Sequence, residues 1–162
     1  MSRSRGFTLV ELLVSIAILA LLTTIALPAL SNLFDVRGVA AAGCVRSDLE
    51  FLRGLALASG RPHRALFDLP GNRYRLEQWT GDQWTAQPDP LTRRPAETRF
   101  DAEPHLQGIQ LTTATFGNGT VVSFDADGTP SAAGTAVLVS GGRQYRVEVS
   151  SWGLVNVVLP ED

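Results

Sequence analysis

Gly6-Phe7-Thr8-Leu9-Val10-Glu11-Leu12-Leu13-Val14-Ser15-Ile16-Ala17 opens a run that stays apolar as far as Leu30. Its only interruptions are Thr8, Glu11, Ser15, Thr23, Thr24 and Pro28. About 24 residues rising 1.5 Å each can cross a hydrocarbon core of roughly 30 Å. The run is too long for the apolar core of a secretory signal peptide, and Ala26-Leu27-Pro28-Ala29 would set proline beside the cut. A plain membrane anchor fits the length, with Arg3 and Arg5 holding its start in the cytoplasm. Neither reading accounts for Glu11. A carboxylate inside an apolar helix costs several kcal/mol unless it is paired or protonated.

The string resembles the prepilin family: a short basic leader ending in Gly6, then Phe7, then Thr8-Leu9-Val10-Glu11-Leu12-Leu13, with Pro28 further along. The resemblance implies that a membrane-bound prepilin peptidase cuts on the cytoplasmic side between Gly6 and Phe7 and methylates the new Phe7 amine. Glycine leaves the backbone before the cut unhindered. Glu11 then becomes the fifth residue of the mature chain, in a first helical turn whose dipole favours an anion. By the same resemblance, Glu11 pairs with the charged N-terminus of a neighbouring subunit, so a buried charge gains a partner on assembly. Proline removes one helical hydrogen bond and crowds the preceding turn. Pro28 therefore marks either the membrane exit or, as the family implies, a kink or local melting point in a continuous helix.

Beyond Pro28 the helical pattern resumes. Val45, Leu49, Leu52 and Ala56 recur at three- and four-residue steps, Leu55 widens the stripe, and Arg46, Asp48, Glu50 and Arg53 fall mostly off it. Gly60-Arg61-Pro62 stops it. A helix from Phe7 to about Ser59 would be roughly 80 Å long. Cys44 reads as a small apolar residue on or near the packing face. From Arg64 onward the period becomes two, in Arg73–Glu77 and Gln144–Val149. Further strands are expected at Ala65–Leu69, Ile109–Thr113, Thr120–Phe124, Ala136–Val139 and Leu154–Leu159, with turns at Asn118-Gly119 and Asp127-Gly128. The fold class is α+β: a long N-terminal helix whose second half packs on an antiparallel sheet, as in pilins. The expected organisation is a leader over 1–6, a transmembrane or filament-core half-helix over 7–30, and a periplasmic globular domain over 31–162.

Thr80 to His105 holds Pro88, Pro90, Pro95 and Pro104 with Arg93-Arg94, and reads as a long irregular loop or a poorly paired edge. Such a loop is a candidate contact surface for other subunits. No enzyme is expected, because no catalytic constellation is present. No cofactor and no metal site are expected either. The single Cys44 excludes an internal disulfide, and His63 and His105 read as lone surface residues. Asp125-Ala126-Asp127-Gly128 begins like a calcium loop but lacks the later acidic ligands, so a tight turn is the better reading. Asn118-Gly119-Thr120 is a formal glycosylation sequon that reads better as a hairpin turn.

Phe124-Asp125-Ala126-Asp127-Gly128-Thr129-Pro130, the strands after it, and Ser151-Trp152-Gly153-Leu154-Val155 resemble the GspH/FimT pseudopilin group. That resemblance implies a minor pseudopilin of a type II secretion system, a structural subunit near the tip of a periplasmic pseudopilus. Its alternative is a minor pilin of a type IV pilus, priming the fibre or taking up DNA. The implied partners are other pseudopilins or pilins, the prepilin peptidase and the inner membrane. Removing Arg3 and Arg5 with the leader leaves 12 of the 14 basic residues against 16 acidic ones, a balance of −4. FimT-type DNA binders carry arginines near a closing Gly-Arg-x-Arg string. Here Gly153-Leu154-Val155-Asn156 and the residues to Asp162 contain none, which argues against DNA as a partner.

Overall fold

The amphipathic stripe carries one helix far beyond Pro28. The computed structural model describes residues 8–160, and the side chains of 8–23 and 34–160. In it, α1 runs Leu9–Ser59 and passes through Pro28. The chain divides into two units, Met1–Leu33 and Phe34–Asp162. The predicted cleavage pair Gly6 and Phe7 lies outside the described residues. In the first unit the large apolar side chains from Leu9 to Leu22 are all exposed. Among the described residues no helix is long and apolar enough to cross a membrane.

In the second unit α1 buries the predicted positions Val45, Leu49, Leu52 and Ala56, joined by Ala41 and Ala42. Burying a side chain the size of leucine stabilises by roughly 1.5–3 kcal/mol, so this stripe is the main anchor of the helix. The helix ends where Gly60 takes φ +64°, with its amide donating to the Ala56 carbonyl at 2.9 Å. That left-handed residue costs glycine little, and Pro62 prevents a restart.

The strands form two antiparallel sheets, where the sequence suggested one. The first contains β1 (His63–Asp68), β2 (Arg73–Trp79), β3 (Trp84–Ala86), β4 (Glu97–Arg99) and β6 (Val121–Phe124). β1 lies between β2 and β6, and the far side of β2 pairs first with β3 and then with β4. The second sheet runs β5 (Gln110–Phe116), β7 (Gly134–Ser140), β8 (Arg143–Val149) and β9 (Val155–Val158) in the order β5-β7-β8-β9. The chain changes sheets between β5 and β6. Phe116 and Gly119 exchange backbone hydrogen bonds there, which puts Gly117 (φ +61°) and Asn118 at the centre of the turn. The turn expected at Asn118-Gly119 is thus centred one residue earlier.

Of the two readings of the 80–105 stretch, the poorly paired edge is the one seen: short β3 and β4 continue the sheet along β2, and Pro104–Leu106 makes a single 3-10 turn. One other expectation needs correction. His63 is buried instead of lying on the surface, with Nδ1 2.9 Å from the Arg61 carbonyl oxygen. It starts β1 in register with Gln78 on one side and Phe124 on the other. The core beneath is strongly aromatic. Phe67 sits 5.5 Å from Tyr74 and 5.4 Å from Phe116 between ring centres, and Tyr74 is 5.8 Å from Phe100.

Candidate assembly surfaces

The start of α1 is a reciprocal cap. The Thr8 amide and hydroxyl both donate to Glu11 Oε2, at 2.9 and 2.8 Å, while the Glu11 amide donates to Thr8 Oγ1 at 3.2 Å. A Thr-x-x-Glu pair at a helix start satisfies amides that have no partner within the helix. The spacing is legible in Thr8-Leu9-Val10-Glu11, yet the sequence reading assigned Glu11 only a partner in another subunit. Glu11 is exposed, as are the apolar residues that follow it.

In the second unit the helix is tied to the sheets by a polar seam. The Ser140 hydroxyl donates to the Phe34 carbonyl at 2.7 Å, and Arg37 donates to the Gln107 carbonyl at 3.1 Å. Asp35 takes the Tyr145 hydroxyl on Oδ1 at 2.8 Å and Arg143 on Oδ2 at 3.1 Å. Burial, reinforced by that hydrogen bond to Asp35, pushes the Tyr145 phenol up to about 12. A Cβ on Gly38 would overlap the Tyr145 ring, so glycine is required at this mid-helix position.

Asn72 joins the two sheets. It stands at φ +46° in the β1–β2 turn, a conformation asparagine tolerates better than most residues. Its Nδ2 donates to the Ile109 carbonyl at 2.9 Å, and its Oδ1 accepts the Leu111 amide at 2.8 Å. Sequence periodicity gave no reason to single out Asn72. The turn-forming pair Gly71-Asn72 is the available signal.

The Tyr74 hydroxyl donates to Asp48 Oδ2 at 2.6 Å. Burial raises both groups above their ordinary ranges, and the Asp48 charge raises Tyr74 further. Asp48 also borders a shallow pocket of about 260 Å³ with Cys44, Ser47, Thr98, Glu103, His105 and Leu106. Burial, then Asp48 and Glu103, push the Cys44 thiol up. Among the described residues no group of three potential ligands is placed to hold a metal. The Asp125–Gly128 segment is a tight turn: the Gly128 amide donates to the Asp125 carbonyl at 2.8 Å, and Asp127 Oδ1 accepts the Thr129 amide at 2.9 Å. Gly128 has φ +76° and faces Leu57, while the Arg53 guanidinium donates to its carbonyl at 3.2 Å.

A further glycine turn follows β8, where Gly153 at φ +78° donates its amide to the Ser150 carbonyl at 3.0 Å. The model of the type II transport protein GspH covers residues 41–153. The chain belongs to the GspH family. Its N-terminal residues 1–27 match the prokaryotic N-terminal methylation motif. Two structures of the minor pseudopilin EpsH from the Vibrio cholerae type II secretion system share this fold. They are 20% and 18% identical with TM-scores of 0.61 and 0.63, and each comparison covers 78% of this chain and 99% of that one. The type IV minor pilin FimU of Pseudomonas aeruginosa is less similar, at 16% identity and a TM-score of 0.51 over 76% of this chain and 88% of FimU. No curated protein matches this GspH-family chain in sequence.

Proposed function

We propose that this GspH-family chain works as a minor pseudopilin of a type II secretion system, a structural subunit added near the pseudopilus tip. The observation that carries this reading is the union in one chain of the GspH-family domain at 41–153 and the methylation motif at 1–27. The precursor would sit in the inner membrane through residues 7–30 with its domain in the periplasm. The prepilin peptidase would cut between Gly6 and Phe7 and methylate Phe7. The protein would carry out no bond chemistry of its own, and other pseudopilins would be its partners.

The capped helix start suggests how Glu11 takes part. Thr8 and Glu11 both follow the proposed cut, so the cap survives maturation. Both donors from Thr8 use Oε2, and in this reading Oε1 would take the cationic Phe7 amine of a neighbour. Among the described residues near the carboxyl end, Arg143 is held by Asp35 and Glu148 shares the outer face of β8 with Arg146, which disfavours nucleic acid. Pro28, in this reading, lets the long helix bend or loosen as it leaves the membrane.

Glu11→Ala in the native host is the test. The variant should still be cut and methylated at Phe7, while its recovery in sheared pseudopili and the secretion it supports fall about tenfold or more. Normal incorporation of the variant would remove Glu11 from the account.

A further inference from the structure

Residues 88–95 form an exposed, internally hydrogen-bonded tip. Pro88 and Pro95 bridge across its base, the Asp89 amide donates to the Arg94 carbonyl at 2.8 Å, and the Arg93 amide donates back to the Asp89 carbonyl at 2.9 Å. Asp89 Oδ1 accepts the amides of Leu91 and Thr92 at 2.8 and 2.6 Å. Below the base, Gln87 and Ala96 bond to each other and to the Leu76 backbone of β2. Three prolines further restrict the segment, and Arg93 holds a left-handed φ of +59° that residues with a Cβ rarely adopt. This ordered backbone presents Leu91 at 93% exposure, the highest among the large apolar residues of the described domain. Arg93 and Arg94 beside it are exposed, and neither has an ion-pair partner among the described residues.

Resting on the reading of the chain as a pseudopilus subunit, we propose that this tip docks into a neighbouring pilin-like subunit. Leu91 would fill an apolar socket there, and Arg93 and Arg94 would meet carboxylates on its rim. Three features favour a protein partner. An ordered tip loses little conformational freedom on binding, so a single apolar anchor in a shaped socket can hold it. Lipid surfaces reward a wide apolar face, which one leucine does not supply. Phosphate recognition needs cations and gains nothing from a leucine at the apex. The pair of arginines, on a chain that is acidic overall, would be complemented by carboxylates on the rim of the socket.

Photo-cross-linking of the full-length protein in its native host tests this. Benzoylphenylalanine replaces Leu91 in one strain and the exposed Gln144 of β8 in a control strain, and adducts are identified by mass spectrometry. The expected result is a position-91 adduct with another pilin-like subunit of the same filament. Its yield should fall about tenfold when Arg93→Glu and Arg94→Glu are combined. It should fall several-fold with Asp89→Ala, which removes the acceptor that orders the tip. The proposal is overturned by a yield at position 91 no higher than at 144, by indifference to charge reversal, or by adducts with lipid, nucleic acid or a protein outside the filament. Phe7 processing and secretion are read in the same strains. A processed, secretion-competent chain without the adduct rejects the docking alone, whereas an unprocessed and dispensable chain rejects the functional reading itself.

Discussion

Tyr145 and Asp35 meet where β8 crosses α1, the phenol donating to Oδ1 at 2.8 Å while its ring closes over Gly38. Residues more than a hundred positions apart thereby fix the register between helix and sheet. The Tyr145 phenol is raised from 10.0 to about 12 in the folded protein. A raised value means that the folded form keeps its proton more firmly than the unfolded chain. The resulting stability is complete below the unfolded value near 10 and is lost as pH climbs to about 12. Denaturant titrations across that window should show a falling stability in the wild type and a flatter profile in Tyr145→Phe. At neutral pH the phenylalanine variant should be less stable by about 1 kcal/mol, the usual worth of one hydrogen bond. Parallel profiles for the two proteins would remove Tyr145 from the pH response.

Gly38 and Gly43 offer opposite outcomes for the same substitution. An added methyl at Gly38 meets the Tyr145 ring, whereas at Gly43 nothing lies within 4 Å. Gly38→Ala should destabilise by about 1–3 kcal/mol through overpacking despite the better helix propensity of alanine. Gly43→Ala should stabilise by up to about 1 kcal/mol. Thermal unfolding of the full chain in detergent checks both. Equal behaviour of the two variants would mean that Tyr145 does not press on the helix.

Asn72→Ala should cost about 2–3 kcal/mol, because it deletes the side-chain hydrogen bonds to the Ile109 and Leu111 backbone and strains a left-handed position. Asn72→Gly keeps the backbone conformation and isolates the side-chain share. Hydrogen exchange should show the Leu111 amide losing protection in both variants. Protection retained at Leu111 would show that the two sheets are joined by something else.

The features legible in the sequence were the local ones. The stripe Val45, Leu49, Leu52, Ala56 follows helical period, the Gly60-Arg61-Pro62 stop is local chemistry, and every expected strand exists within a few residues of its forecast bounds. Thr8-x-x-Glu11 is equally legible as a cap, because its spacing alone sets the reciprocal hydrogen bonds. The rest depends on contacts far along the chain. The division into two sheets is decided by which strand β6 chooses, and period two is silent on partners. Gly38 looks like a helix weakness until Tyr145 lies over it. His63 looks like an exposed lone histidine until strands close on both sides. Arg93-Arg94 and the prolines announced an irregular loop, while the order within it comes from the Asp89 carboxylate and from pairing with β2.

The central claim is that this GspH-family chain is matured as a filament subunit, and the chemical state of its N-terminus tests that most directly. Intact-mass and terminal-peptide spectrometry of the protein from native envelopes should find a chain beginning at Phe7 and carrying one N-methyl group. A chain that still begins at Met1, or a Phe7 terminus without the methyl group, would contradict the account.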